Sequence, residues 1–171
     1  MSWNGGGITV RKTLPGDRPA LVAIIENSEN LSREEMDCAS ELLDIYFKNP
    51  LETDYLFLTA VDPSSSPAGY ACYGKRPLTD AVYDLYWIVV DSRRRRGGIG
   101  TRLIEELEKL LREEGARMLV AETSGLPAYE AARRLYLRSG FCEEARIREF
   151  YKPGDDIVFY TKRLQKSNGD A

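Results

Sequence analysis

The chain has 171 residues, 43% of them hydrophobic and 30% charged, with a formal net charge of −3. One globular domain with a substantial core suits that length, and the acidic balance excludes a general nucleic-acid binder, which carries a net basic face. Cys38, Cys72 and Cys142 are too few, and odd in number, for a disulfide framework, while the absence of histidine excludes a zinc site of the usual kind and a histidine-based triad, so no metal is expected.

Residues 1–7, MSWNGGG, are glycine-rich and expected to be loose, as is the polar tail over residues 165–171. The N-terminal stretch lacks a basic-then-apolar leader, and no apolar run approaches the roughly 20 residues that span a bilayer. The expectation is a cytoplasmic protein with no membrane partner, and the residues leave a monomer and a homodimer equally open.

Between these ends, residues 8–164 are expected to form a single domain. ITVRKT (8–13) alternates and predicts a strand; a helix follows from the candidate cap Asp17, with Pro19 tolerated in its first turn. Ser32 stands three residues before Glu35, a capping box, and Met36, Ala39, Leu42, Leu43 and Tyr46 follow at helical spacing. The period then changes. Residues 54–62 and 69–77 predict an antiparallel hairpin around PSSSPAG, and residues 81–90, AVYDLYWIVV, a third strand. An amphipathic helix is expected over about 98–114, with Leu103, Ile104, Leu107, Leu110 and Leu111 on one stripe. Residues 117–123 predict a short buried strand, and 127–140 a helix with Pro127 in its first turn and Gly140 as its C-terminal cap. Two strands around KPGDD close the chain. The resulting order is β-α-α-β-β-β-α-β-α-β-β, a mixed α/β sheet, mostly antiparallel, with one right-handed parallel βαβ crossover over residues 83–123.

Four arginines, Arg93 to Arg96, and three glycines, Gly97, Gly98 and Gly100, stand where the third strand hands over to the long helix. Glycines let a ligand approach the backbone, and the first N–H groups of a helix have no internal partner. A helix N-terminus also carries about half a positive charge, which makes the turn a ready anion site. Arg95 and Arg96 add charge-assisted donors suited to phosphate. The spacing R-x-x-G-x-G differs from the dinucleotide fingerprint G-x-G-x-x-G, and a Walker A loop would need lysine followed by serine or threonine.

RRGGIG (95–100) resembles the R/Q-x-x-G-x-G/A pyrophosphate loop of the GNAT superfamily of acyl-CoA-dependent N-acyltransferases. Downstream, YEAARRLYLRSGF resembles that family's N-x-x-A-x-x-x-Y-x-x-x-G-F segment, with Ala132, Tyr136, Gly140 and Phe141 matching and Tyr129 where asparagine often stands. The element order matches from Ile8 to Leu164. The resemblance implies a GNAT-like fold with acetyl-CoA as cosubstrate. It places Arg95, Arg96, Gly97, Gly98, Ile99, Gly100 and Thr101 at the pyrophosphate, with Arg93 and Arg94 on the rim of that loop or in solvent. Backbone groups of Ile88, Val89 and Val90, with Tyr129 and Tyr136, would line the rest of the cofactor; an N–H at Ile88 or its neighbours would receive the oxyanion.

Acyl transfer to an amine needs a proton acceptor and a proton for the departing thiolate. Without histidine the acceptor is a carboxylate, a tyrosine or a relayed water. The resemblance makes Asp84 and Glu122 the candidates: Asp84 aligns with the catalytic carboxylate of some members, and Glu122 ends the neighbouring parallel strand, where the family's site lies. A carboxyl beside Tyr86, Trp87 and Ile88 can have a raised pKa, and the choice among Asp84, Glu122 and water stays open. The matching tyrosine of the family protonates the thiolate, which implies that role for Tyr136. Cys72 and Cys142 lack a cationic partner and read as packing residues rather than nucleophiles, so direct transfer in a ternary complex is expected. A CoA-binding regulatory or sensing domain without turnover is the alternative. The resemblance implies that the first two helices and the final hairpin shape the acceptor, a peptide amine or a small-molecule amine that could be amino-acid-like. There Glu34, Glu35, Asp155 and Asp156 could attract a cation, and Arg146 and Arg148 could hold a carboxylate.

Overall fold

The computed structural model describes residues 7–49, 51 and 54–164. The polar tail and the glycine-rich start, Gly7 apart, lie outside those residues. The elements follow the expected order: β1 (Thr9–Lys12), α1 (Arg18–Glu26), α2 (Arg33–Lys48), β2 (Leu56–Val61), β3 (Pro67–Lys75), β4 (Val82–Val90), α3 (Ile99–Glu113), β5 (Met118–Ser124), α4 (Glu130–Arg138), β6 (Cys142–Lys152) and β7 (Asp155–Arg163). The strands make one mixed sheet in the order β1-β2-β3-β4-β5-β7-β6. β4 and β5 are parallel, and the pairs β1–β2, β2–β3, β5–β7 and β6–β7 are antiparallel. No helix among the described residues is long and apolar enough to cross a membrane.

Of the described residues, those up to Gly74 with Trp87–Glu106 form one compact unit, and Lys75–Tyr86 with those from Leu107 onward form another. In the first unit, α2 begins as its sequence dictates. Ser32 Oγ accepts from Glu35 N at 3.2 Å, and Glu35 Oε2 accepts from Ser32 N at 2.7 Å. Asp17 stands at the N-cap of α1 but makes no cap hydrogen bond. Its carboxylate instead takes Arg11 Nη1 and Nη2 at 2.7 and 2.9 Å and Leu14 N at 2.8 Å, because a guanidinium fork outcompetes a neutral backbone donor. Leu21, Ile24, Ile25, Ala39 and Leu43 bury the helices' inner faces. Phe57 carries the aromatic centre, 5.1 Å from Tyr46 and 5.6 Å from Tyr70 between ring centroids. Gly69 is required for close strand packing, since a Cβ there would lie 2.8 Å from the Val89 carbonyl oxygen.

In the second unit, β5 is central, paired on one side with β4 from Val82↔Met118 to Leu85↔Ala121 and on the other with β7. α4 stops as expected: Gly140 takes φ +82, and Phe141 N donates to Tyr136 O at 3.0 Å. Buried Glu108 on α3 accepts from Lys162 Nζ at 2.5 Å and from Arg112 Nη2 at 3.2 Å, so its charge is matched inside the protein. Along α3, Leu103, Ile104, Leu107 and Leu111 are buried as the stripe predicts, with Ile99 added; Leu110 lies only half-buried at its margin.

Candidate active site

The arginine–glycine turn is built in the first unit. A short 3-10 turn over Ser92–Arg94 leads into Arg95, and the chain then enters the left-handed region twice, at Arg96 (φ +64) and Gly98 (φ +77). The first α-helical bond of α3 runs from Arg102 N to Gly98 O at 2.9 Å. The N–H groups of Ile99, Gly100 and Thr101 therefore precede any i→i−4 partner, the position at which helix N-termini take anions. A Cβ built on Gly98 would meet nothing within 4 Å, so the space beside this backbone is open. Conformation, and not crowding, is what asks for glycine there.

The four arginines divide by partner. Arg93 Nη2 meets Asp91 at 2.9 Å, with its own side chain 83% exposed. Arg94 donates Nη1 to Asp62 Oδ2 at 2.7 Å and is mostly covered, so of the two positions expected for it the one in solvent does not hold. Arg95 makes only long contacts, 3.4 Å to Glu29 and 3.3 Å to Asn30. Arg96 makes no ion pair among the described residues. Asp62, which also receives the Ser64 hydroxyl and the Ser64 and Ser66 N–H groups, is held well below the usual carboxylate range, first by the Ser64 hydroxyl and then by the Ser66 N–H, with Arg94 adding to both. In the same unit, Ile88, Val89 and Val90 form the end of β4, and Asp91 N closes that end on Ala68 O at 3.0 Å.

The two candidate carboxylates lie in the second unit and differ in kind. Asp84 is buried, and Arg76 Nε reaches both its oxygens at 2.9 Å while Arg76 Nη2 reaches Oδ1 at 2.8 Å. Glu122 is the first residue of β5 beyond the last β4–β5 pair, and it is exposed. Desolvation nonetheless raises its pKa; Arg76 acts to lower it and Asp84 to raise it. Arg76 escaped the sequence reading. The signal available was Asp84 itself, since an acid placed in an interior strand requires a cation, and Arg76 is the nearest one across the turn.

Tyr136 is buried on α4, with ring centroids 5.6 Å from Phe141 and 5.5 Å from Tyr160. Burial pushes its phenol pKa up, with Tyr160 adding to it, so the hydroxyl keeps its proton throughout the neutral range. The start of α4 is fixed by Arg133, whose Nη1 donates to the carbonyl oxygens of Ser124 at 2.6 Å and Leu126 at 2.8 Å. Tyr129 closes the preceding 3-10 turn at the N-cap of α4, half-buried, with its N–H on Leu126 O at 3.1 Å.

The remaining candidates are largely committed elsewhere. Glu35 serves the helix cap, buried Asp155 accepts the Ser124 hydroxyl at 2.5 Å, and Asp156 binds Arg146 at 3.3 Å and Glu149 N at 3.0 Å. Glu34 and Arg148 stay exposed. Cys72 is buried, its thiol pushed up by desolvation, as a packing residue should be. Cys142 is exposed, against the packing role expected of it.

The acetyltransferase (GNAT) family pattern matches residues 22–141. A GNAT-family protein from Desulfovibrio desulfuricans is 38% identical, with 93% of this chain and 100% of that one covered at a TM-score of 0.86. Two more distant structures share the fold. The ribosomal-protein-S18-alanine N-acetyltransferase of Escherichia coli is 22% identical, with 96% and 98% covered and a TM-score of 0.72. A Salmonella typhimurium protein solved with acetyl-CoA is 19% identical, with 97% and 99% covered and a TM-score of 0.70. No curated protein matches the sequence.

Proposed function

The chain belongs to the acetyltransferase (GNAT) family, and on that premise we propose that it moves an acetyl group from acetyl-CoA to a primary amine of a small molecule or peptide by direct transfer. The observation that carries this reading is the anion-ready turn before α3. Its two left-handed residues, the first N–H groups of the helix and the open flank at Gly98 together fit a pyrophosphate. Arg95 and Arg96, the two arginines without a close ion pair, supply the cations, and Gly97, Ile99, Gly100 and Thr101 supply backbone.

When bound, acetyl-CoA supplies the thioester and the thiolate leaving group. Glu122 accepts the proton of the attacking amine, directly or through a water, since desolvation raises its pKa and no close ion pair occupies its carboxylate among the described residues. Asp84 is already spent on Arg76. The N–H of Ile88, with Val89 and Val90 beside it, receives the developing oxyanion. As the C–N bond forms and the C–S bond breaks, Tyr136 gives its hydroxyl proton to the sulfur, and water carries the proton held by Glu122 back to the phenolate. A phenol with a raised pKa is a weak acid, so it donates only to a thiolate already developed, which suits a late proton transfer. Tyr129 lines the cofactor arm.

Incubating the protein with acetyl-CoA and a panel of amines, while following free thiol, tests the reading. Thiol release that depends on both protein and amine supports it. Tight CoA binding with no release for any amine supports a sensing domain instead.

A further inference from the structure

Arg76 lies just past the end of β3, and its backbone is pinned at both ends. Its N–H donates to Val82 O at 2.9 Å, and its carbonyl accepts the Thr79 hydroxyl at 2.7 Å. From that fixed point the guanidinium makes a three-contact fork onto Asp84. Lysine, with one point charge, cannot reproduce this geometry.

Register brings the pair to Glu122. Asp84 is opposite Val120, and Glu122 follows two residues later on β5, so Asp84 and Glu122 share one face of the sheet, and the Arg76 guanidinium reaches Asp84. The charged groups acting on the Glu122 carboxyl are Arg76 and Asp84, with opposite signs. Its cross-strand neighbour on β7 is Phe159, which carries no charge. Tyr86, on β4, acts on Arg76, and Arg133 of α4 is turned to the carbonyls of Ser124 and Leu126.

Two carboxylates on one face, without a cation, would share a proton, and neither would act as a simple base. A single guanidinium resolves this by neutralising the buried one. We propose that Arg76 is a positioning residue for proton transfer: it fixes and neutralises Asp84, and so leaves Glu122 as the one carboxylate of this face that exchanges a proton. The inference rests on the reading of Glu122 as the proton acceptor, and it adds a residue to that machinery which touches neither substrate.

A carboxyl-carbon NMR titration of Glu122 in the ligand-free protein, with the resonance assigned by E122Q, tests it without any acceptor amine. R76Q should raise the Glu122 midpoint by roughly one pH unit and D84N should lower it, the scale expected of neighbouring charges. R76Q/D84N should fall between the two single variants, and R76K, which keeps the charge but loses the fork, should fall between wild type and R76Q. A purely structural Arg76 would not produce shifts of opposite sign. Midpoints that stay put, or move the same way in R76Q and D84N, overturn the proposal and leave Glu122 as acceptor untouched. Should R76Q fail to fold because Asp84 is stranded, D84N against R76Q/D84N gives the same sign test. With an amine from the panel, the acid limb of kcat/KM should then track these midpoints. Midpoints that move as stated while the limb stays still would instead overturn Glu122 as the acceptor, and with it the catalytic role of Arg76.

Discussion

Arg94 donates to Asp62 at 2.7 Å, tying the arginine turn before α3 to the turn that joins β2 and β3. The same carboxylate organises its own turn by accepting the N–H groups of Ser64 and Ser66. One acid thus anchors two loops, and the second is the turn proposed to hold the pyrophosphate.

That anchor should be sensitive to acid. The folded-state pKa of Asp62 is depressed, so its stabilisation is fully present above the ordinary aspartate value and is lost as pH falls through the folded value. The depressed pKa values of Asp17 and Asp91 act in the same direction. Tm measured from pH 7 down to pH 2 should fall mainly below about pH 4, the ordinary aspartate range. D62N should start lower at neutral pH and lose less on acidification. Parallel curves for D62N and wild type would remove Asp62 from the explanation.

Gly98 sits at φ +77 with open space around it. Gly98→Val therefore meets no clash but must hold a β-branched residue in the left-handed region, at a cost of roughly 1–2 kcal/mol. The loop should relax out of its anion-binding shape, and calorimetry should show CoA affinity reduced at least tenfold in a protein that remains folded. Unchanged affinity would show that the pyrophosphate lies elsewhere.

Arg93 and Arg95 offer a paired comparison. Arg93 is closely paired with Asp91, whereas Arg95 has only long contacts to give up, 3.4 Å to Glu29 and 3.3 Å to Asn30. Arg95→Ala should raise KM for acetyl-CoA more than Arg93→Ala does, and added salt should narrow the gap by screening. Equal effects would put the motif register out by two residues.

Tyr136→Phe removes a hydroxyl and keeps the ring that packs on Phe141 and Tyr160. With an amine identified, kcat should fall by about 10²- to 10⁴-fold, the usual worth of general acid catalysis, while Tm and CoA affinity stay near wild type. A wild-type rate would assign the acid to water, and a large loss of CoA binding would assign the hydroxyl to the cofactor.

The sequence by itself determined the elements, their order, the capping box at Ser32 and Glu35, the left-handed stop at Gly140 and the turn that suits an anion. Each is written in residues adjacent along the chain or at a helical period, where local backbone geometry and hydrogen-bond satisfaction decide the outcome. Even there, Asp17 turned away from the expected cap of α1, to Arg11 and to the amide of Leu14 before it. Only the tertiary structure decided the partners of the long charged side chains: Arg94 with Asp62, Arg76 with Asp84, Lys162 with Glu108. Those pairs join different elements, and strand register and the burial of one carboxylate beside another select them. A long flexible cation can reach several acids, and the sequence does not say which one the fold will bury within its reach.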